Sequence, residues 1–203
     1  AQEYTYPDAT LANGLVLSNM LLNRIRTRTF KGTGQTSSLA YHYSGNTIWP
    51  VSVSRSFGEG PQTTLFTLDR YDERGNLLQS TDPNGISTTY LWGYGGTRLV
   101  AEIRNAAYQQ VANVLGQARI DAMTDRITLS ESDIAALEGL RSAAALGDTQ
   151  ITTYTHHPIF GVTSRTDPRG VRTSYLYDET GRIKEIADDA GNPVVAYDYK
   201  YRK

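Results

Sequence analysis

The pattern Asp-x-x-Gly occurs five times in this 203-residue chain, in two blocks within which successive copies start about ten residues apart. The copies begin at Asp72, Asp82, Asp167, Asp178 and Asp188, and they end at Gly75, Gly85, Gly170, Gly181 and Gly191. A period of about ten is too short for a helical hairpin or a propeller blade, but it fits one strand followed by one tight turn. The spacing therefore predicts a β-rich repeat architecture in which the chain reverses at each copy.

Each residue of the motif suits a turn. In Asp82-Pro83-Asn84-Gly85 the Asp side chain can accept backbone N–H groups, Pro83 presets φ at the second position, and Gly85 tolerates a positive φ at the end. Asp167-Pro168-Arg169-Gly170 repeats this type I turn pattern. Tyr71-Asp72-Glu73-Arg74-Gly75 and Tyr177-Asp178-Glu179-Thr180-Gly181 supply a second kind of turn, in which a tyrosine ends the incoming strand. These Asp, Pro and Gly residues are therefore predicted to have structural roles.

Strand patterns follow the turns. Side chains alternate between the two faces of a strand, so two sets of residues are each predicted to share one apolar and aromatic face: Ile86, Thr88 and Tyr90, and Val171, Thr173 and Tyr175. Tyrosine is the unusual component of the composition, with 14 Tyr against 4 Phe and 2 Trp. A ring that also carries a hydroxyl suits a half-buried sheet surface.

Four segments can be distinguished. Residues 1–62 are predicted to be divergent strand-rich repeats, with strands over Asn23–Phe30, Ser38–Tyr43 and Pro50–Phe57 and a short helix over Leu15–Asn23 capped by Asn13 or Ser18. Residues 63–105 and 150–203 are the two repeat blocks, and the second ends in a strand-like stretch over Tyr197–Tyr201. The four segments are expected to form one continuous structural unit.

Residues 106–149 interrupt the strands with a helical insertion, because they are rich in Ala and Leu and lack the turn motif. Two short helices are predicted over Tyr108–Leu115 and Ala118–Thr124, separated near Gly116. A third begins at the capping pattern Ser130-Glu131-Ser132-Asp133 and ends at Gly147, with one apolar stripe formed by Ile134, Leu137, Leu140 and Ala144. The predicted class is α+β, mostly β: a curved antiparallel sheet of strand-turn repeats against which the helices pack.

The bulk properties exclude several partner classes. A net charge of -1 with interspersed signs gives no basic surface for nucleic acid or anionic lipid. No apolar run is long enough to span a bilayer, so membrane insertion is not expected, and Ala1-Gln2-Glu3-Tyr4 lacks the features of a signal peptide. The absence of cysteine removes disulfides and thiolate metal sites.

Several candidate sites have simpler structural explanations. The repeated Asp residues could serve as the acid and base of a glycosidase, or as calcium ligands, but each one already opens a turn that ends in Gly. His156 and His157 are adjacent on a strand and point to opposite faces, so a shared metal ion is not expected, and His42 stands alone. Gly93-Tyr94-Gly95-Gly96 lacks the Lys-Ser/Thr ending of a phosphate loop. We therefore predict no catalytic residue, no metal site and no cofactor.

The succession Tyr-Asp-x-x-Gly-x-Leu/Ile and Asp-Pro-x-Gly resembles the YD repeat of the RHS (rearrangement hotspot) family. The resemblance covers residues 63–104 and 151–203. Three segments are similar to a subgroup of large secreted bacterial RHS-repeat proteins: Tyr90-Leu91-Trp92-Gly93-Tyr94-Gly95-Gly96, Val100-Ala101-Glu102-Ile103-Arg104-Asn105-Ala106 and Tyr154-Thr155-His156-His157-Pro158-Ile159-Phe160-Gly161-Val162-Thr163-Ser164. The resemblance implies a secreted or cell-surface protein that builds β shells or walls, of which some enclose a toxin and others present surfaces for adhesion.

The toxin-enclosing type is not matched, because no Pro-x-Gly-Leu-x-Gly junction or effector domain follows the repeats. The number of repeats in this chain is too small to close a shell. We therefore expect the chain to be part of a longer protein, whose remaining repeats are its partners. The predicted function is a non-catalytic structural segment.

The alternative function is a module that binds cell-surface glycan or protein through aromatic side chains. Alternation places Tyr90, Trp92 and Tyr94 on one face, and Tyr175 and Tyr177 belong to the equivalent strand of the second block. Because repeats cover their apolar face with neighbours, burial of these five side chains is favoured. If the face is open instead, they are the candidate ligand-binding residues.

Overall fold

The computed structural model describes residues 1–200, and the chain divides into two compact units, Ala1–Ser87 and Thr88–Lys203. The described part of the chain contains thirteen strands and a smaller number of helices. Within each unit, consecutive strands pair antiparallel. The predicted α+β class, mostly antiparallel β with a helical insertion, is confirmed. The predicted strand-like stretch over Tyr197–Tyr201 is wrong for its described part, because the last strand ends at Ala196 and residues 197–200 are not in a strand; Tyr201 lies outside the described residues.

The first unit is an antiparallel meander with one short helix. Its elements are β1 (Gln2–Thr5), α1 (Asn13–Leu17), β2 (Arg26–Lys31), β3 (Gly34–His42), β4 (Ser52–Phe57), β5 (Thr63–Tyr71) and β6 (Leu77–Thr81). Its small apolar core consists of Ala12, Leu15 and Ile25, against which Met20, Tyr43 and Ile48 pack.

The second unit combines seven strands with the helical insertion. Its elements are β7 (Ser87–Gly93), β8 (Arg98–Arg104), α2 (Tyr108–Leu115), α3 (Gln117–Asp125), α4 (Glu131–Gly139), 3-10 turns at Leu140–Ser142 and Ala144–Leu146, β9 (Gln150–His157), β10 (Gly161–Thr166), β11 (Arg172–Tyr177), β12 (Ile183–Ala187) and β13 (Pro193–Ala196). The largest fully buried side chains of this unit include Leu91, Val100, Ile103, Val111, Met123, Leu137, Leu140 and Ile151. They come from both strands and helices, so the core lies between the insertion and the sheet.

The helices cover the face of β7 that carries Thr89, Leu91 and Gly93, all of which are buried. A Cβ atom on Gly93 would lie 3.2 Å from Leu129 Cδ2, so the segment between α3 and α4 approaches the strand closely. The sequence pattern predicted the opposite face as the apolar one, through Thr88 and Tyr90. That expectation is wrong for β7, because the small residues Thr89 and Gly93 are what allow the helices to pack against the strand.

Two helices differ from their predicted positions. Helix α1 spans Asn13–Leu17 rather than Leu15–Asn23, and Asn19 ends it by adopting a left-handed φ of 57°. Neither Asn13 nor Ser18 is its N-cap; the side chain of Asn13 donates instead to Asn46 Oδ1 at 2.9 Å. Helix α4 begins after Ser130, as expected, but its α-helical part ends at Gly139. The two 3-10 turns that follow leave Ala144 of the predicted stripe exposed.

Candidate functional site

The five Asp-Gly turns share one hydrogen-bonding arrangement. In each, the Asp N–H donates to the carbonyl oxygen four residues later at 2.8–3.0 Å, and the Gly N–H donates to the Asp carbonyl oxygen at 2.9–3.1 Å. The Gly residues adopt φ between 81° and 87°. This is the three-residue hairpin loop in which a type I turn is followed by a left-handed residue. Both Asp-Pro-x-Gly and Tyr-Asp-x-x-Gly therefore form the same turn.

The Asp side chains complete the turns. One carboxylate oxygen, Oδ1, accepts the N–H groups two and four residues later in all five, at 2.7–3.0 Å. The other oxygen accepts from a side chain in four of them: Asn76, Arg169, Arg182 and Asn192. These carboxylates are therefore engaged by the loops that they close.

The electrostatics of three of these turns favour the ionised carboxylate. The N–H of Val171 lowers the pKa of Asp167, the Thr180 hydroxyl followed by Arg182 lowers the pKa of Asp178, and Asn192 lowers the pKa of Asp188. A glycosidase needs one carboxylic acid whose pKa is raised so that it can protonate the leaving group. The lowered values make these Asp residues unsuitable for that role.

A second contact links two turns to an upstream hairpin. The Tyr71 hydroxyl donates to the Pro50 carbonyl oxygen at 2.8 Å, and the Tyr177 hydroxyl donates to the Val162 carbonyl oxygen at 2.7 Å. The Tyr199 hydroxyl makes the same kind of bond to the Ile183 carbonyl oxygen at 2.7 Å. Tyr71 and Tyr177 thereby join the ends of β5 and β11 to an earlier loop or strand, and Tyr199 joins the segment after β13 to the start of β12.

An aromatic ring from the upstream loop lies beside each of the first two tyrosines. Trp49 stacks on Tyr71 with ring centroids 5.9 Å apart and covers Gly75, while Phe160 lies 5.8 Å from Tyr177 and covers Gly181. Sequence reasoning did not assign a role to Trp49 or Phe160, because they lie in a different hairpin from the turns that they cover. An aromatic residue one hairpin upstream of Tyr-Asp-x-x-Gly is the signal that would have identified them.

Burial affects the two tyrosine hydroxyls. Burial, and to a lesser extent the neighbouring Tyr43, raises the pKa of Tyr71 to about 12. Burial followed by the neighbouring Tyr175 also raises the pKa of Tyr177. Each hydroxyl therefore stays protonated and remains a donor to its backbone acceptor at neutral pH.

The proposed aromatic platform is only partly assembled. Tyr90 and Trp92 are half-buried on the face of β7 away from the helices. Tyr94 does not join them, because it lies beyond the end of β7 with a left-handed φ of 56° and is buried. Its hydroxyl accepts the His156 N–H at 2.8 Å. The expectation that Tyr94 shares the face of Tyr90 and Trp92 is therefore wrong.

The register places two other tyrosines on the face of Tyr90. Tyr90 of β7 is opposite Glu102 of β8, which is opposite Thr152 of β9. Tyr154 of β9 is opposite Arg165 of β10, which is opposite Thr173 of β11. Since side chains two apart on a strand share a face, Tyr154 and Tyr175 lie on the same face as Tyr90. Tyr154 was missed by sequence reasoning, and Tyr177 is engaged by Val162 and Phe160. The face therefore carries Tyr90, Trp92, Tyr154 and Tyr175.

The three histidines take part in separate packing contacts. His156 Nε2 lies 2.8 Å from the Leu99 carbonyl oxygen, and burial lowers the pKa of this histidine. His157 Nδ1 accepts the N–H groups of Ile159 and Phe160, and its ring stacks on Phe160 at 4.4 Å. His42 lies 2.6 Å from the Ser54 hydroxyl. In the described part of the chain, no group of three His, Asp or Glu side chains is placed to hold a metal ion.

The Gly93–Gly96 segment connects two strands. The N–H of Gly95 donates to the Arg126 carbonyl oxygen at 2.8 Å, and Tyr94, Gly95 and Gly96 all have positive φ. A phosphate loop instead leads from a strand into the N-terminus of a helix.

None of the helices within residues 1–200 is long and apolar enough to cross a membrane.

Comparison with known proteins agrees with these repeats. Residues 71–109 and 161–193 match the model of the RHS repeat family, which confirms the resemblance drawn from the turns. No curated protein matches the chain. Among solved structures, the crystal structure of TcdB2-TccC3 is 16% identical over 91% of this chain with a TM-score of 0.43, and this chain spans 8% of that one. The crystal structure of TcdB2-TccC3-Cdc42 is 15% identical, also over 91% of this chain and 8% of the other, with a TM-score of 0.43.

Proposed function

We propose that this chain, which carries RHS repeats at residues 71–109 and 161–193, is a non-catalytic structural segment of a secreted or cell-surface protein. In this proposal its strands form part of a β wall or shell whose other parts are the remaining repeats of the parent polypeptide. The observation that carries the proposal is that the repeated polar residues bond to their own turns and neighbouring strands. Five Asp side chains close loops, and Tyr71, Tyr177 and Tyr199 bond to upstream carbonyl groups.

The edge strand β13 supports the second part of the proposal. All four of its residues are exposed, and Val194 has 66% of its surface accessible. The Tyr197 N–H donates towards β12, to the Lys184 carbonyl oxygen at 2.9 Å. Because alternate amides of a strand point to opposite sides, the Ala196 N–H faces away from β12 and can donate to a carbonyl oxygen of a further strand. A wall built from successive hairpins needs such an edge.

An extended chain tests this proposal. We would add a copy of residues 181–196 after Lys203, which supplies two further strands, and measure amide hydrogen exchange at Ala196. Slower exchange there, together with a higher melting temperature, is the expected result. The matched control carries proline at the copied positions of Ile186 and Val194, which prevents strand pairing. If the extension and its proline control leave Ala196 equally unprotected, β13 is not an edge for continued repeats and the wall proposal fails.

A second candidate function is binding of glycan or protein through the open sheet face. The observation that favours it is that Tyr90, Trp92, Tyr154 and Tyr175 share the face opposite the helices. Exposed rings can stack on sugars, and Tyr and Trp are also common at protein interfaces. Under this proposal the chain would be an adhesion module of the same parent protein.

A glycan array of the unmodified chain and of Trp92→Ala tests the second candidate. Binding that disappears in Trp92→Ala and is retained in Trp49→Ala would support the open face, because Trp49 belongs to a turn in the other unit. Circular dichroism of all three proteins checks that the fold is kept. Absence of binding to any sugar would remove the glycan version of this function.

A further inference from the structure

The first unit contains a polar groove of about 380 Å³. We call it the serine groove; its lining includes Arg26, Arg28, Ser38, Ser56, Glu59 and Gln62. Three of these residues stand in one cross-strand row, because Arg28 of β2 is opposite Ser38 of β3, which is opposite Ser56 of β4. Gln62, from the segment between β4 and β5, reaches over this row.

The floor of the groove consists of buried hydroxyl groups. Ser38 and Ser56 are each only 3% exposed. The Gln62 side-chain amide donates to the Ser38 hydroxyl oxygen at 3.3 Å and to the Ser56 hydroxyl oxygen at 3.5 Å. Gln62 Oε1 is already used, since it accepts from the Ser54 hydroxyl at 2.8 Å. Both floor hydroxyls thus act as acceptors towards Gln62, and their protons are available to a ligand.

Two guanidinium groups lie beside this floor. Arg26 and Arg28 occupy alternate positions of β2, so they share a face and are separated by roughly 7 Å along the strand. The Arg28 guanidinium lies 3.6 Å from Glu3, but the two side chains are 37% and 56% exposed. An exposed pair at this distance contributes little and is easily replaced by a better acceptor. No salt bridge is described for Arg26 within residues 1–200.

The groove therefore presents more donors than acceptors, since Glu59 supplies the one carboxylate of its lining. Buried hydroxyl protons and guanidinium N–H groups are the groups that bind carboxylate, sulfate and phosphate oxygens. The lining carries two Arg and one Glu, which gives a formal charge of +2 - 1 = +1. A ligand group with a single negative charge neutralises this lining.

We propose that the serine groove binds a singly charged oxyanion group, a carboxylate or a sulfate ester, with Arg26 and Arg28 as its charge partners and Ser38 and Ser56 as neutral donors. The ligand chemistry could come from a free organic acid or from an acidic saccharide. This site is independent of the open aromatic face and of the wall proposed above.

The test is an NMR titration of the full chain with glucuronate, acetate and glucose, followed at the amides near Ser38 and Ser56. Saturable shifts with glucuronate are expected, and neutral glucose should cause none. Acetate binding as strongly as glucuronate identifies a general carboxylate site, while clearly tighter binding of glucuronate identifies an acidic saccharide. Shifts that do not saturate with either anion overturn the proposal.

Variants then locate the site. Arg26→Gln and Arg28→Gln should each weaken glucuronate binding by about tenfold, because each removes one charged donor. Arg172→Gln is the matched control, since it removes one exposed positive charge from β11 of the other unit, on the face opposite to Tyr175. Ser56→Ala removes a floor hydroxyl with no change in charge, and it should also weaken binding. Equal affinity of all four variants for glucuronate would show that the anion binds elsewhere and would overturn the assignment.

Discussion

The indole ring of Trp49 lies over Gly75 so closely that a Cβ atom at residue 75 would overlap the ring. Phe160 stands in the same relation to Gly181, where a Cβ would lie 2.7 Å from the ring. In both cases the glycine belongs to a Tyr-Asp-x-x-Gly turn and the ring to an upstream loop. Gly85 and Gly170, in the Asp-Pro-x-Gly turns, have nothing within 4 Å of the same position.

This difference predicts unequal effects of alanine in the two kinds of turn. Gly75→Ala forces a side chain into a left-handed residue and displaces the Trp49 ring, so a loss of about 2–4 kcal/mol in the free energy of unfolding is expected. Gly85→Ala has a similar φ but open space, so only the backbone cost of about 1–2 kcal/mol remains. Urea unfolding of both variants measures the difference. Equal losses would show that Trp49 does not pack on the turn in solution.

The tyrosine hydroxyls predict a loss of stability at high pH. Because burial raises the pKa of Tyr71 to about 12, the folded chain keeps a proton that the unfolded chain loses near pH 10. The free energy of unfolding is therefore unaffected by this group below pH 10 and falls as the pH rises from 10 to 12. Tyr71→Phe should remove part of that fall and should also cost about 1 kcal/mol at neutral pH through the lost bond to Pro50.

Unfolding midpoints in urea at pH 8, 10 and 11 check this prediction. Tyr41→Phe is a suitable control, because it removes a hydroxyl from an exposed ring of the same unit. An identical pH dependence in Tyr71→Phe and in the unmodified chain would contradict the assignment.

The acidic side chains predict the opposite dependence at low pH. The Thr180 hydroxyl and Arg182 lower the pKa of Asp178, so its contribution to stability is present above the ordinary Asp pKa and is lost as the pH falls through the lowered value. Asp178→Asn keeps an oxygen acceptor for the Thr180 and Arg182 N–H groups but cannot titrate. The urea midpoint should therefore drop less between pH 6 and pH 2.5 in this variant than in the unmodified chain. Asp148→Asn, at an exposed position outside the five Asp-Gly turns, serves as the control.

Local features of the chain were predictable where neighbouring residues decide the structure. The turn from Asp82 to Gly85 and the helix over Tyr108–Leu115 depend on side chains within a few positions, and both follow the expected pattern. Strand β1 and the end of α1 were not anticipated. Gln2–Thr5 has no strong alternation and becomes a strand by pairing with β2, while Asn19 ends α1 through a backbone conformation that its type only weakly favours.

The face assignment of β7 failed for a tertiary reason. Tyr90 and Trp92 are more apolar than Thr89 and Gly93, so alternation alone selects the aromatic face as the buried one. The helical insertion instead packs where small residues allow close approach, and the Thr89 hydroxyl bonds to the Ala106 carbonyl oxygen at 2.9 Å. Such a choice depends on the shape of a distant segment, which hydropathy patterns do not describe. For the same reason the roles of Trp49 and Phe160 became visible only in the structure.

Arg141 connects the helical insertion to two strands, and its removal should loosen that contact. Its guanidinium pairs with Glu138 at 2.5 Å and donates to the carbonyl oxygens of Ile151 and Thr166 at 3.0 and 3.1 Å. The Arg141 side chain is only 16% exposed, so Arg141→Met should cost about 2–4 kcal/mol by leaving Glu138 and both carbonyl groups without this partner. Urea unfolding measures the loss, and hydrogen exchange of the α4 amides should quicken more than that of the β12 amides.

Arg119→Met is the control, because Arg119 is exposed and donates only within the helical insertion, to the Ser132 carbonyl oxygen at 3.3 Å. Equal losses in the two variants would mean that the insertion is held by its apolar contacts and not by Arg141.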